Sequence, residues 1–183
     1  MKKIFPIFLL DEDSMLQFFI PSPVHARDVT AYRAEVLAGR GDFDGSAGLG
    51  EFARYPDWLE RLRILSGERA EKFGWYRTLV RLAYDGDHLT AILNVRLSED
   101  PFVRTYAGHI GYHVRPSCRK RGYGHACAEE AVRLCKEHGI IRPVICTSPE
   151  NFASRKTAES AEFSFTSYET TDSGITVARY EKS

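Results

Sequence analysis

Residues 108–124 read Gly-His-Ile-Gly-Tyr-His-Val-Arg-Pro-Ser-Cys-Arg-Lys-Arg-Gly-Tyr-Gly. The apolar half predicts a strand, and the basic half predicts a loop that opens a helix. Free N–H groups at a helix N-terminus, together with glycines and clustered cations, form an anion site suited to a diphosphate. The spacing Arg119-x-x-Gly122-x-Gly124 lacks the Lys-Ser/Thr pair of the P-loop and the first glycine of the dinucleotide fingerprint. The stretch therefore predicts a third kind of phosphate loop.

The composition is that of one globular domain without a bulk charge. The chain has 183 residues, 43% of them hydrophobic, which is enough for a full core. Twenty-five basic residues balance 25 acidic ones, so the charge gives no argument for nucleic acid or a membrane surface as a partner. An anion site must come from local clustering, and Arg115, Arg119, Lys120 and Arg121 form such a cluster.

The cysteines and the N-terminus indicate a cytoplasmic chain. The four cysteines show no CxxC pair and no zinc spacing, which predicts free thiols and no metal site. The first ten residues superficially mimic a signal peptide, but their apolar run is short, contains a proline and precedes no cleavage site. We therefore expect an N-terminal arm over residues 1–14 and a single domain over residues 15–183.

The hydrophobic periodicity predicts the order β-α-α-β-β-β-α-β-α-β-β, a mixed α/β layout. Short loops join the second to fourth strands, which excludes a doubly wound sheet. The pattern over residues 88–97 predicts a half-buried strand, and residues 107–114 predict the strand before the phosphate loop. A glycine-rich segment, residues 39–50, predicts a flexible loop.

Three motifs together carry a resemblance to a known family. Val114-Arg-Pro116, Arg119-x-x-Gly122-x-Gly124 and Asn151-x-x-Ser154-Arg-Lys156 resemble the GNAT superfamily of acetyl-CoA-dependent N-acetyltransferases. The element order agrees with that fold over about residues 15–180, and residues 109–117 are similar to the GHIGY-x-VRPS motif of a predicted-acetyltransferase branch. The resemblance implies acetyl-CoA as co-substrate, no metal, and direct transfer of the acetyl group to a primary amine.

The resemblance also implies how coenzyme A is held. The phosphate loop would wrap the pyrophosphate with its amides, and its cations would contact the phosphates. The backbone of Val114 would hold the pantetheine arm and polarise the acetyl carbonyl. Asn151 would bond the pantetheine, with Ser154 beside it. The residues assigned to coenzyme A are Val114, Arg119, Lys120, Arg121, Gly122, Tyr123, Gly124, Asn151 and Ser154.

Two histidines are candidates for the general base that deprotonates the amine. His109 is favoured because the ordinary pKa of histidine suits the task and its strand is expected beside the thioester. His113 shares the face of His109 by strand alternation and is the weaker candidate. Glu51 and Asp44, from the glycine-rich loop, are rivals. A purely structural histidine, hydrogen-bonded to a neighbour, is the alternative for both positions.

The chain departs from the family pattern where the general acid is expected. Ala158 stands where many members have a tyrosine, and Glu162 replaces the usual glycine before Phe163. Tyr168, Tyr123, an ordered water or the product are the remaining candidates for the acid. Without an acid, the chain would also suit a non-catalytic acyl-CoA-binding sensor or interaction module. The acceptor, a small-molecule or peptide amine, stays open, and exposed edge strands allow a homodimer.

Overall fold

A computed structural model describes residues 16–183, and the predicted N-terminal arm lies outside them. The described residues form seven strands and four α-helices in the predicted order, which confirms the mixed α/β fold class. The strands are β1 (Leu16–Phe19), β2 (Thr78–Asp85), β3 (His88–Arg96), β4 (Ile110–Val114), β5 (Val144–Thr147), β6 (Phe163–Thr170) and β7 (Thr176–Lys182). The helices are α1 (Ala26–Ala38), α2 (Tyr55–Ser66), α3 (Tyr123–Glu137) and α4 (Phe152–Ser160).

The strands form two antiparallel sheets rather than one. The first has the order β1-β2-β3-β4, and the second has the order β5-β7-β6. Strands β4 and β5 are therefore edge strands, each of them with one neighbour. Both edges carry N–H and C=O groups that no strand of the described chain satisfies.

The two edge strands are joined at one end only. The N–H group of His109, just before β4, donates to the carbonyl of Val144 at 2.8 Å. The N–H group of Val144, the first residue of β5, donates to Nδ1 of His109 at 3.0 Å. Because the junction lies at the start of both strands, β4 and β5 leave it in the same sense. Among residues 16–183 no backbone hydrogen bond joins the two strands beyond it, so a gap opens between them.

The core lies on both faces of the first sheet. Helices α1 and α2 cover one face, where Tyr32, Trp58 and Ile92 are fully buried. Helix α3 covers the other face, where Leu93, Ile110 and Cys127 are buried. Strand β3 is consequently buried on both faces, and the prediction of a half-buried strand was wrong. Alternate side chains of β3 belong to two different cores, because helices cover both faces of the sheet and neither face meets solvent.

The strand before the phosphate loop is shorter than predicted. Residues Val103–Ala107 form a single turn of π-helix, and β4 begins only at Ile110. The guanidinium of Arg96 donates to the carbonyls of Ala107 and Gly108, which satisfies the end of this turn. His109 therefore lies in a bend ahead of β4 and not on the strand itself.

The glycine-rich loop, residues 39–50, packs against β4 instead of standing free. The side-chain amide of Asn94 donates to the carbonyl of Gly45 at 2.7 Å. Gly111 leaves room for that amide, since a Cβ there would lie 2.7 Å from Nδ2 of Asn94. Gly45 adopts φ +82° and lies so close to β4 that a Cβ would meet the carbonyl oxygen of Tyr112 at 2.2 Å. The middle of the loop is thus pinned to the strand beside the gap.

Replacing Gly45 with alanine should destabilise the protein much more than replacing a glycine of equal φ in open space. Gly139 has φ +81° and no heavy atom within 4 Å of an added Cβ, so it is a matched control. Gly139→Ala should lower the free energy of unfolding by about 1–2 kcal/mol through left-handed backbone strain. Gly45→Ala should lower it by about 3 kcal/mol or more, because the clash with Tyr112 adds to that strain. Urea unfolding measures both, and equal losses would contradict the pinned loop.

Candidate active site

The free edge of β4 faces the gap with a regular set of backbone groups. Arg115 N–H donates to Thr90 at 2.8 Å and Arg96 N–H to His109 at 2.7 Å, so the odd-numbered residues bond to β3. In an antiparallel ladder, the backbone N–H and C=O groups of the alternate residues then point away from β3, toward the gap. These residues are Ile110, Tyr112 and Val114. The gap is therefore lined by N–H and C=O groups able to bond an extended, amide-containing ligand.

The phosphate loop ends in an uncapped helix N-terminus. Gly122 precedes α3 with φ +84°, and a Cβ there would meet nothing within 4 Å. The first turn of α3 contains no acidic residue, and no side chain caps it. Its N–H groups are therefore free to bind an anion, which the helix dipole also favours. Lys120 is left-handed as well, with φ +62°, so the loop is tightly turned.

The cations of the loop divide into two groups. Arg115 is paired with Glu35 of α1 at 2.6 Å and is not free for a phosphate. Arg119 donates to the carbonyl of Val114 at 3.3 Å, at the free edge of β4, and Lys120 is exposed. Arg121 lies 3.8 Å from Asp85 across a largely exposed pair, which water screens. Arg119, Lys120 and Arg121 thus remain available at the mouth of the gap.

Helix α1 holds the start of the phosphate loop through Glu35. One carboxylate oxygen accepts from Arg115, and the other accepts from the N–H group of Ser117 at 2.7 Å. Partial burial opposes ionisation, but the hydrogen bonds from Ser117 and Arg115 outweigh it and hold the pKa of Glu35 below its ordinary value. This contact was not predicted, because only the fold brings residues 35 and 117 together.

Tyr123 can offer coenzyme A only its backbone. Its ring is buried against Leu16 and Cys118, and its hydroxyl donates to Asp85. The side chain therefore points away from the helix N-terminus. Gly124 packs on α4, where a Cβ would lie 3.3 Å from Cγ2 of Thr157. The loop thus lies between the end of β4 and helix α4.

Helix α4 presents the predicted pair at its start. The side chain of Asn151 caps the helix by accepting from the N–H group of Ser154 at 3.1 Å. Ala158 is fully buried in the core. Glu162 has φ +61°, a conformation that favours glycine, which explains why the family pattern has glycine at this position; nothing in the structure explains its replacement by glutamate.

Tyr112, which was not among the predicted site residues, reaches across from β4 to α4. Its hydroxyl lies 3.2 Å from the carbonyl oxygen of Ser154 and 3.3 Å from Oγ of the same residue. Burial raises the pKa of this phenol, and hydrogen bonds from Ser154 and Thr157 only partly offset it. The sequence signal was strand alternation, which places Tyr112 on the opposite face of β4 from His113.

His109 has no free lone pair for a substrate. Its ring is fully buried, and Nδ1 accepts from Val144, so in the neutral ring the proton is on Nε2. Burial lowers the pKa, although Glu99, 3.8 Å from Nε2, opposes the shift. These contacts favour the structural alternative for His109, the residue that joins the two sheets.

His113 retains a free ring nitrogen. The Tyr32 hydroxyl donates to the carbonyl of His113 at 2.8 Å and also contacts Nδ1. Because that hydroxyl has one proton, Nδ1 supplies the second one and Nε2 keeps its lone pair without a partner. Burial, and then Arg119, lower the pKa of His113, while Asp42 opposes them. The Phe43 ring of the glycine-rich loop stacks over the imidazole, with the ring centroids 6.3 Å apart.

The sequence matches the model of the acetyltransferase (GNAT) family over residues 49–163, more than half of the chain. The chain belongs to the GNAT family. This match includes β4, the phosphate loop and α4, and it confirms the resemblance first seen in the three motifs. A comparison with curated proteins finds no match.

Solved GNAT-type acetyltransferases share the fold of the whole described domain. The microcin C7 self-immunity acetyltransferase MccE, in complex with acetyl-CoA and AMP, has a TM-score of 0.68 at 15% identity and covers 93% of both chains. RimL, a ribosomal L7/L12 alpha-N-protein acetyltransferase in complex with coenzyme A, has a TM-score of 0.65 at 16% identity, with 93% of this chain and 94% of RimL covered. RimJ of Mycobacterium smegmatis, in complex with CoA-disulfide, gives 0.67 at 14% identity, with 92% and 82% covered. At these identities the likeness shows the GNAT fold.

The described residues contain neither a membrane-spanning helix nor a cluster of side chains suited to a metal ion. None of the helices within residues 16–183 is long and apolar enough to cross a membrane. No group of three or more histidine, cysteine, aspartate or glutamate side chains in that part of the chain is placed to hold a metal ion.

Removing the ring of His109 should loosen the junction between the sheets. His109→Leu leaves the buried N–H group of Val144 without an acceptor, so the free energy of unfolding should fall by about 1–3 kcal/mol. His109→Gln keeps an acceptor oxygen and should lose less. Because burial lowers the pKa below 6.5, unfolding takes up a proton, and stability is lost as the pH falls below about 6.5. Both variants should show a weaker loss between pH 6.5 and 5 in urea unfolding, and an unchanged pH dependence would contradict the assignment.

Proposed function

We propose that the protein is an acetyl-CoA-dependent N-acetyltransferase that transfers the acetyl group directly to a primary amine. The gap between the free edges of β4 and β5, closed at His109 and opening toward the phosphate loop, carries the proposal. A coenzyme A molecule has an extended amide-containing arm and a pyrophosphate. The gap offers backbone groups for the arm, and the uncapped start of α3 offers N–H groups for the phosphates.

The residues present fit that donor. The backbone of residues 119–124 takes the pyrophosphate, with the side chains of Arg119, Lys120 and Arg121 as counter-charges. The outward groups of Tyr112 and Val114 bond the pantetheine arm and polarise the thioester carbonyl. Asn151 and Ser154, at the start of α4, lie along the far wall. Bound coenzyme A or acetyl-CoA in MccE, RimL and RimJ supports the same use of the fold here.

His113 is the better of the two histidines for the role of base. A base needs a free lone pair, and Nε2 of His113 has one; in His109 the lone pair is on Nδ1, where it accepts from Val144, and Nε2 carries the proton. The lowered pKa keeps His113 neutral at physiological pH. Asp42 and Phe43 lie against the ring, so the amine has to approach Nε2 past this part of the glycine-rich loop.

The acceptor side is the side of the glycine-rich loop, which adjoins the gap at Tyr112. RimL is described as acting on the alpha-amino group of a ribosomal protein, and its Salmonella typhimurium counterpart as modifying an N-terminal serine. Peptides with a free N-terminus are therefore the first acceptors to test, followed by polyamines and amino acid amides. The four free cysteines support a cytoplasmic location.

Coenzyme A binding should depend on Gly122 and not on a matched glycine elsewhere. Gly122→Asp places a carboxylate at the phosphate site, so coenzyme A should no longer raise the melting temperature. Gly174, in the β6–β7 turn, has φ +85° and equally open surroundings, so Gly174→Asp controls for backbone strain. The wild type and Gly174→Asp should both be stabilised by coenzyme A and not by ATP. Release of free thiol from acetyl-CoA with the amine panel then measures turnover.

Other outcomes separate the alternatives. Normal coenzyme A binding by Gly122→Asp would refute the donor site. Stabilisation by acetyl-CoA without thiol release for any amine would refute the enzyme and favour the acyl-CoA-binding sensor. Stabilisation by ATP alone would indicate a nucleotide enzyme instead.

His113→Asn should remove the base while it keeps a donor for the hydroxyl of Tyr32. Turnover with the best amine of the panel should fall about 100-fold or more, with little change in the KM for acetyl-CoA. In the wild type, kcat/KM should rise with pH along a limb below about 6.5, because His113 must be neutral and its pKa is lowered. That limb should vanish in the variant. Tyr32→Phe keeps the imidazole and should retain the limb; its loss there would assign the limb to another group.

A further inference from the structure

The protonation of the departing sulfur has no group assigned to it. Ala158 offers only a buried methyl group where the family pattern has a tyrosine. Tyr168 is 53% exposed on β6, and the Tyr123 hydroxyl is engaged by Asp85 at the far side of the phosphate loop. In the order β5-β7-β6, Tyr168 lies two strands away from β5, and the hydroxyl of Tyr123 points to Asp85, so neither residue lies on the free edges of β4 and β5.

Tyr112, unlike Tyr168 and Tyr123, lies on the edge of the gap. It lies at the centre of the free edge of β4, where its backbone faces the gap. Its ring extends between the start of α3 and helix α4, with Cε2 3.6 Å from the Cβ position of Gly124. Its hydroxyl lies beside Ser154, the residue expected next to the pantetheine. One residue thus has a backbone N–H group that faces the gap and a hydroxyl beside the start of α4.

We propose that Tyr112 is the general acid that protonates the sulfur of coenzyme A, an inference that rests on the proposed function. The amine nitrogen forms a bond to the carbonyl carbon, and the carbon–sulfur bond breaks with its electron pair on sulfur. The sulfur takes the proton from the hydroxyl of Tyr112. The proton lost by the amine returns through solvent to the tyrosinate, so that atoms and charge balance.

The surroundings of the phenol suit this role. Burial raises its pKa, so the hydroxyl keeps its proton until a strong acceptor forms. Ser154 has both a hydroxyl and a carbonyl in contact with the phenol. The hydroxyl of Ser154 donates to the phenolate while that charge exists, and its carbonyl orients the phenol before the donor binds. Ser154 is thus a positioning residue for Tyr112.

Tyr112→Phe is the direct test, with Tyr168→Phe as a matched control on an exposed tyrosine. Tyr112→Phe should lower kcat about 100-fold or more with the best amine of the panel, because general acids contribute about that factor. The KM for acetyl-CoA should change little, since the backbone of residue 112 stays in place. Tyr168→Phe should keep wild-type kcat. Equal effects of the two substitutions, or none for Tyr112→Phe, would overturn the proposal.

The alkaline limb of the pH profile distinguishes an acid from a packing residue. The wild type should lose activity at high pH as Tyr112 ionises, and Tyr112→Phe should lack that limb. Incorporation of 3,5-difluorotyrosine at position 112 acidifies the phenol with little change in shape. The limb should then move to lower pH, and a limb that stays in place would refute proton donation by Tyr112.

A measurement on bound coenzyme A needs no acceptor and separates this proposal from the proposed function. A hydroxyl next to sulfur stabilises the thiolate, so the bound thiol should titrate at a lower pH in wild type than in Tyr112→Phe. Ultraviolet absorbance of the thiolate follows that titration. The same titration in both proteins would refute the role of Tyr112 as the acid and would leave the proposed function unaffected. No binding of coenzyme A by the folded wild type would refute the proposed function, and this proposal with it.

Discussion

Two hydrogen bonds between His109 and Val144 decide the architecture of the molecule. They join two separate sheets just before β4 and at the first residue of β5, and they leave the rest of both edges unpaired. Unpaired edges in a folded protein need partners, and here the fold keeps them available to a ligand instead of a third strand. The proposed donor site is therefore a missing part of a sheet, with walls made of backbone groups.

Helix α1 contacts β4 and the start of the phosphate loop, both on one side of that gap. Tyr32 contacts His113 on β4, and one turn later Glu35 holds Arg115 and Ser117 at the entrance of the phosphate loop. A shift of α1 would thus disturb the proposed base and the donor loop together. The glycine-rich loop leaves the C-terminal end of the same helix and rests on Tyr112. The proposed base, the phosphate loop and the glycine-rich loop are therefore all connected to α1.

The sequence predicted the element order and the basic loop that opens α3, because these depend on local patterns of polarity and glycine. It mispredicted β3 as half-buried, since alternation cannot distinguish solvent from a second helix layer. The sequence could not predict which groups the side chains contact, because these contacts join distant segments. The ring of His109 contacts Val144 of β5, and the hydroxyl of Tyr123 contacts Asp85. The pinning of the glycine-rich loop by Asn94 likewise joins residues far apart in the chain.

The proposed role of Tyr112 would let this chain lack the tyrosine of the family pattern and keep its chemistry. Ala158 lies in the core and cannot be replaced by a bulky tyrosine without overpacking its neighbours. The space beside Ser154 is instead filled from the opposite wall by Tyr112. The proposed reaction needs a hydroxyl beside the start of α4, and both α4 and β4 border that position. In the proposed mechanism, the hydroxyl that protonates the sulfur and the N–H group that binds the carbonyl both belong to β4, so the strand fixes their relative position.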